Sequence, residues 1–490
     1  MRRTHFDAVS VLAVLIAVLL PAHSESSPIT FERTYGGAGQ DLASSVQQTT
    51  DGGYIVTGTK DDLTDSISAY LVKTDAHGDT LWTRSFGGAQ RIAVSSSVQQ
   101  TTDGGFVVLG GVDSSGWGPG GIWLIKTDAD GDTLWTRVYA GNNGAIMVEQ
   151  TADGGYVMAG TASYSSPSGG DVYVIKTDAG GDTLWTRTYG GPKDDEGVSI
   201  QQTSDHGYVI AATTMSFGMS GQNIWLLRTD SMGDTLWTRT FGGDSIDYGG
   251  WAQQTTDGGY FVAGWTWSYS PSPQTYLIKT DAAGDTLWTR TIGGSGWFES
   301  MSGQQVKDGG YIVVGSGEDT TGNIDVCLTR TDANGDSLWT RTFGGSSFDD
   351  GSSVRQTADG GYVICGETYS FGAGDADFYL IKTDANGRLA VAEPESSLPR
   401  KPVISLTSEP NPFRASTVLH LTTGPLDHSA THLRIYDVQG RLLRTLAVNQ
   451  AGQIMWNGSD DAGRLLPSGT YLVRCDVAGR HAAARLVLER

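Results

Sequence analysis

Thr127-Asp128-Ala129-Asp130-Gly131-Asp132-Thr133-Leu134-Trp135-Thr136-Arg137 recurs throughout the stretch from Ile29 to Val391. Close copies occupy 74–84, 177–187, 229–239, 280–290 and 331–341, and a degenerate copy starts at Thr383. Each copy follows a second marker, Asp-Gly-Gly-Tyr or a near variant, which starts at Asp51, Asp103, Asp153, Asp205, Asp257, Asp308 and Asp359. Successive starts lie 50 to 52 residues apart. Seven copies at that period mark a propeller or a solenoid.

Each unit carries four short apolar runs bounded by turn residues, in the first unit 44–49, 53–58, 69–74 and 80–86, and none has helical spacing. The first and third joins are tight and nearly constant, with Asp opening the turn and Gly two or three residues later, where positive φ is needed. The second join and the join to the next unit are long and differ in every copy. Four antiparallel strands repeated seven times predict a seven-bladed β-propeller.

The chain ends sharpen this. Thr30-Phe31-Glu32-Arg33-Thr34-Tyr35-Gly36-Gly37 matches a fourth strand, whereas the last unit, with Gly387-Arg388-Leu389-Ala390-Val391, lacks a good one. A closed ring in which 31–35 completes the last blade accounts for both; an open solenoid needs polar caps instead. The fold expected is all-β: a propeller over 29–391, a Pro- and Ser-containing linker over 392–402, and a small Ig-like sandwich over 403–490.

Residues 1–24 read as a secretory signal, with Arg2 and Arg3 before an apolar run and small residues at Ala22 and Ser24. No other segment is apolar enough to span a bilayer, so no transmembrane segment is expected in the mature chain, and the location expected is secreted or on the outer surface of a bacterial cell, reached through the periplasm. Net charge is −21; residues 25–400 hold 21 Lys and Arg against 46 Asp and Glu, while 401–490 hold 10 against 7. The acidic body argues against nucleic acid as a partner, which needs basic grooves. The three cysteines have no metal-ligand spacing. Cys327 and Cys365 stand where other copies have packing residues, which favours buried thiols over a Cys327–Cys365 bridge.

Six strand Trp residues (Trp82, Trp135, Trp185, Trp237, Trp288, Trp339) read as packing against the next blade. The Gln pairs 47–48, 99–100, 201–202, 253–254 and 304–305 lie on the innermost strand, where alternation sends one side chain toward the channel and the other toward the neighbouring blade. Asp128, Asp130 and Asp132 alternate as in a calcium loop, but the middle residue varies among the copies and no closing Glu follows, so a hairpin turn is expected and no metal. The propeller holds only His77 and His206, both in turns, and no cofactor site is apparent.

The alternating joins gather the variable loops on one face. Candidate ligand-binding residues there are Trp117, Trp265, Trp267, Tyr269, Trp297 and Phe298, and the acidic loop candidates are Asp194, Asp195, Asp349 and Asp350. Aromatics with carboxylates suit a glycan or an extracellular protein as partner. The same carboxylates would serve a glycan-active enzyme, although recurrence of acids at Asp41, Asp247 and Glu299 favours loop stabilisation. A purely structural surface or adhesion component is a third reading.

In the tail, Pro410-Asn411-Pro412-Phe413, Ile435-Tyr436-Asp437-Val438-Gln439-Gly440-Arg441 and Ser468-Gly469-Thr470-Tyr471-Leu472-Val473 resemble the C-terminal sorting domains of bacterial type IX secretion substrates. Trp456-Asn457-Gly458-Ser459-Asp460 with Gly463 is similar to the Ig-like domain of the flagellar hook-capping protein. The sorting resemblance implies the secretion machinery as a partner, with release or surface attachment after export. The Gly-Asp-Thr-Leu-Trp hairpin is similar to quinoprotein blades, which implies a quinone-dependent oxidoreductase as an alternative, with no cofactor residue carried over.

Overall fold

The computed structural model describes residues 28–389 and 405–490, apart from 62, 64–66, 88–91, 114–120, 140–143, 163–168, 294–295 and 319–321 in the first span and 423–431, 438–440, 449–452 and 478–479 in the second. The signal segment and the linker lie outside the described residues. Among those described, no helix is long and apolar enough to cross a membrane.

The first span is a seven-bladed propeller of four-stranded antiparallel blades. Chain order runs from the axis outward. In blade 1 the strands are Asp41–Gln48, Tyr54–Asp61, Ile67–Thr74 and Thr80–Phe86. The two middle strands are buried on both faces, which is why Tyr-Ile-Val-Thr and Tyr-Leu-Val appear there as unbroken apolar runs. The outer strand alternates exposed and half-buried residues. Blades 1 and 2 also touch through one parallel backbone pair, Ile67 with Ile92.

The ring closes as the orphan strand predicts. Phe31–Tyr35 pairs antiparallel with Asp377–Thr383, Phe31 opposite Lys382 and Tyr35 opposite Phe378, as the outer strand of blade 7. On the inner side, Ala358 N–H donates to Gln48 Oε1 across the same seam at 2.8 Å.

The opening motif is the joint between blades. Asp128 Oδ1 accepts the backbone N–H groups of Asp130 and Asp132 at 3.0 and 2.9 Å, so the carboxylate that looked like a calcium ligand closes its own turn. Gly131 sits at φ +78°, and a Cβ there would lie 2.7 Å from Trp82 of the previous blade. Each outer-strand Trp lies edge-on to the aromatic that opens the second strand of the next blade: Trp82 to Phe106 at 5.8 Å, Trp135 to Tyr156 at 5.9 Å, Trp237 to Tyr260 at 5.4 Å. Phe31 does the same to Tyr54 at 5.8 Å, which extends the series across the closure. The Arg two residues on covers its Trp and reaches the turn of the next blade, as in Arg84–Asp132 at 3.0 Å and Arg290–Asp336 at 2.9 Å.

The Asp of each Asp-Gly-Gly turn caps a buried cation on the third strand. Lys73, Lys126, Lys176, Arg228, Lys279, Arg330 and Lys382 pair with Asp51, Asp103, Asp153, Asp205, Asp257, Asp308 and Asp359. Cys327, Cys365 and Cys475 are buried and form no disulfide among the described residues, and burial pushes the Cys327 thiol up to about 11.

The second span is a sandwich of a three-stranded sheet (Ser405–Glu409, Thr417–Thr422, Gln453–Trp456) and a four-stranded sheet (Leu442–Ala447, His432–Tyr436, Gly469–Val477, Arg480–Leu488). Its first strand was not evident from the sequence. The core is built on Trp456, Phe413 and Tyr471. The residues that carry the family resemblance are mostly pins of this fold. Asn411 donates to Arg485 O at 2.7 Å and accepts from Val487 N at 2.8 Å, and Tyr471 O–H donates to Pro467 O at 2.7 Å.

The cation–turn pairs are asymmetric: the Lys176 side chain is 4% exposed and that of Asp153 is 58% exposed. Burial raises the Asp153 carboxyl, but Thr151, Lys176 and Gly155 N–H outweigh it and hold it at about 2. Removing the acid strands a buried ammonium, whereas removing the cation leaves a hydrated carboxylate. Asp153→Ala is therefore expected to cost about 2–4 kcal/mol and Lys176→Met about 1 kcal/mol in denaturant titrations at pH 7. Equal costs would refute the asymmetry.

Candidate functional site

The aromatic candidates gather on the variable-loop end of blades 5 and 6. Trp265 is the penultimate residue of the second strand of blade 5 and stacks on Tyr248 across the strand pair, with centroids 5.5 Å apart and 11° between the planes. Trp267 follows, fixed by its N–H to Ile246 O at 2.8 Å, and meets the ring of Trp297 edge-on at 6.2 Å. Tyr269 packs on Tyr276 at 5.4 Å and stays 54% exposed; Trp297 is 36% exposed. Phe298 opens the inner strand of blade 6 and is half-buried. Trp117 lies outside the described residues.

The acidic candidates divide by strand alternation. Asp195 and Asp349 are fully buried. Asp195 accepts from Gly191 N–H at 2.8 Å and from the Thr214 hydroxyl. Asp349 accepts from Gly345 N–H at 2.8 Å and from the Ser370 hydroxyl at 2.6 Å. Both are loop clamps, beyond the reach of a surface ligand, and the recurrent Asp41 and Asp247 act alike. Asp194 is exposed and accepts from Gly170 N–H at 2.9 Å. Asp350 turns the other way, accepts from the Ser316 hydroxyl, and is pushed up by burial. Burial, then Asp350 and Asp349, push Glu367 up to about 7. Burial and Asp350 push Glu299 to about 7 against a hydrogen bond from Trp297. Neither proposed acid pair therefore faces one space as two carboxylates, the arrangement glycan hydrolysis needs. Among the described residues no three His, Cys, Asp or Glu side chains converge as a metal site.

The feature that sequence reasoning passed over is the axis. The seven inner strands surround a cavity of about 450 Å³. Each inner strand carries a β-bulge, at Ser44 in blade 1 and Gly250 in blade 5, which shifts the side-chain phase and turns extra positions toward the axis. Two hydrogen-bond rings run round it. The second Gln of each pair accepts a turn N–H from the adjacent blade, and all seven such bonds are present. The first Gln accepts the N–H of the second Gln on the next blade, as Gln47 does from Gln100 at 2.6 Å.

That first-Gln ring has two departures, Glu149 and Arg355. Glu149 keeps the acceptor role toward Gln202 N–H at 2.6 Å. Arg355 cannot accept, so Gln48 loses the equivalent partner. One register higher, Ser45, Ser97, Ser199 and Ser302 accept from the next blade, but blades 3 and 5 carry Met147 and Trp251 instead. The Arg355 guanidinium lies 4.2 Å from the Trp251 ring centroid. Burial lowers Arg355 to about 10, against the opposing influence of Cys365 and Glu149. Burial raises Glu149 to about 7, against Gln202 N–H and Arg355. The signal was available: the Gln pair becomes Glu149-Gln150 and Arg355-Gln356 in those two copies.

No family model matches the chain, and no curated protein matches it. Solved structures do. PorZ, an essential bacterial surface component of the type-IX secretion system of Porphyromonas gingivalis, is 11% identical, with 93% of this chain and 60% of that one covered at a TM-score of 0.43. Puromycin hydrolase is 13% identical, with 80% and 61% covered at 0.50. The β-propeller domain of the Trilobed protease from Pyrococcus furiosus, which has an open velcro topology, is 11% identical, with 74% and 100% covered at 0.43. The chain spans about three fifths of the length of the first two. At such identities these likenesses carry nothing about function, and the propeller itself rests on the pairing of its own strands.

Glu149 sets a pH signature. Its folded value is about 7 against an ordinary 4.5, so the folded chain keeps a proton that the unfolded chain releases. Stability from this group is full below about 4.5 and is lost as pH rises through 7. Glu149→Gln keeps the acceptor and removes the titration. It is expected to stabilise the protein by about 1–3 kcal/mol at pH 8 and by little at pH 4, measured by denaturant titration at both. A pH-independent difference would refute the shift.

Proposed function

We propose that the chain is an exported, non-catalytic propeller that binds a glycan or an extracellular protein through its variable-loop face. Its C-terminal sandwich serves as the export or attachment module. The observation that supports the binding face is the set of exposed apolar side chains on the variable joins of neighbouring blades. Phe217, Ile246, Tyr269, Trp297 and Phe348 are all exposed, on joins within and between blades 4 to 7. Exposed apolar groups clustered on loops over a rigid ring are the usual make-up of a recognition surface. Edge-on Trp267 and Trp297 form its densest point, with Glu299 following Trp297 on blade 6 and Asp350 of blade 7 near enough to influence Glu299. Aromatic rings with neighbouring acceptors suit the apolar faces and hydroxyls of sugar rings as well as a protein hot spot.

The export role rests on the tail residues that resemble sorting domains and on the signal-like start. Trp267→Ala with Trp297→Ala is expected to lower affinity for a captured glycan or protein at least tenfold, about 1.4 kcal/mol, while circular dichroism stays unchanged. Glycan arrays and pull-downs from culture medium identify the ligand, and unaltered binding by the double variant would sink the named surface. Deletion of 403–490 is expected to hold the protein in the periplasm; secretion at the normal level would remove the export role.

A further inference from the structure

The axial cavity carries a second reading, independent of the loop face. A propeller axis lined by one residue repeated seven times satisfies itself, since each Gln or Ser accepts from its neighbour. Here four positions break that pattern: Met147, Glu149, Trp251 and Arg355. Three of them forgo the acceptor that the repeat supplies. Packing of the blades does not require the change, because the other copies pack with Ser and Gln.

The departures meet across the space. Arg355 comes from blade 7 and lies over Trp251 of blade 5, and Glu149 of blade 3 is near enough to influence Arg355 without forming an ion pair. Arg355 has no carboxylate within ion-pair distance among the described residues, unlike the buried Arg228 and Arg330, which hold Asp205 and Asp308. Its Nη1 donates to Val354 O at 2.7 Å and reaches Ser302 Oγ at 3.4 Å. Nε and Nη2, the pair that grips a carboxylate side-on, have no acceptor among the described residues. The indole Nε1 of Trp251 is buried and also lacks one. The cavity thus holds donors in excess and one cation.

Its walls are split. Ser44, Ser96 and Ser352 line blades 1, 2 and 7, while Ile146, Val198 and Met301 line blades 3, 4 and 6. The volume, about 450 Å³, falls in the range of about 300–1,000 Å³ typical of small-molecule sites. One cation opposed by one acid selects against a dianion, and the apolar wall with a flat indole selects for an aryl or alkyl body.

We infer that the axial cavity binds a small organic monocarboxylate with an apolar body, its carboxylate on the free edge of Arg355 and its body against Trp251 and the apolar wall. The test uses the purified full chain with 4-phenylbutyrate and octanoate as probes, read by calorimetry and saturation-transfer NMR. At least one probe is expected to bind saturably, one per chain, with 4-phenylbutyramide at least tenfold weaker and inorganic phosphate not competing. Arg355→Gln restores the residue of the repeat, with an acceptor for Gln48. It is expected to weaken the carboxylate at least tenfold with an equal or higher melting temperature. Trp251→Ser, also the residue of the repeat, provides a second loss-of-binding variant. The Trp267→Ala, Trp297→Ala protein is expected to bind the probe normally, which separates this site from the loop face. Absence of saturable binding by both probes, equal binding of acid and amide, or full binding by both Arg355→Gln and Trp251→Ser would overturn the inference.

Discussion

The structure depends on a contact between blades made seven times. An aromatic side chain on the outer strand of one blade lies edge-on to an aromatic on the second strand of the next. The glycine of the next turn leaves room for the ring, and an Arg covers it. A ring has no end at which a poor interface is harmless, so every joint must carry a comparable share. That constraint explains the close repetition of Gly-Asp-Thr-Leu-Trp-Thr-Arg, and it explains why Phe31 and Arg33 stand in for Trp and Arg at the closure. The seventh turn ends in Arg388 where the others have Asp, so the joint after Arg341 forms with stacking on Trp339 but without that ion pair.

Because the joints and tight turns are fixed by ring closure, variation is confined to two places. One is the loop face, where the second join and the inter-blade join differ in every copy. The other is the axis, where side chains meet across open space rather than pack between blades. Asp195, Asp247 and Asp349 show how the loop face keeps its order: a buried carboxylate at the start of the inner strand gathers a glycine N–H and hydroxyls from the neighbouring join. The acids that recur at this buried position, Asp41, Asp195, Asp247 and Asp349, are therefore structural, whereas Glu299 stands one residue further along its strand.

The fold was legible in the sequence because its determinants are local and repeated. A period near 50, four apolar runs per unit and an orphan fourth strand at 30–37 are sufficient for a closed seven-bladed ring. The outer Trp residues were legible for the same reason. The aromatic site was legible in part: loop membership follows from the repeat, but the meeting of Trp267 with Trp297 depends on two different joins. Asp195 and Asp349 were not separable from Asp194 and Asp350 until strand phase was known. The axis was legible in part: alternation puts Trp251 and Arg355 on the face of the first Gln, but the bulge in every inner strand, which adds Ile146, Val198 and Met301 to the lining, depends on pairing that the sequence does not display.

The axis is also where fold and function compete most directly. Each hydrogen bond forgone at Met147, Trp251 or Arg355 is worth on the order of 0.5–1.5 kcal/mol to a ring that otherwise satisfies itself. Cation–π contact between Arg355 and Trp251 offsets a part of this, on the order of 1–2 kcal/mol for a desolvated pair. It leaves the indole N–H without an acceptor among the described residues, and the hydrogen bonds of the guanidinium all come from Nη1. A scaffold shaped by packing alone has no reason to bring an unpaired cation and an unpaired donor to the one cavity on its axis.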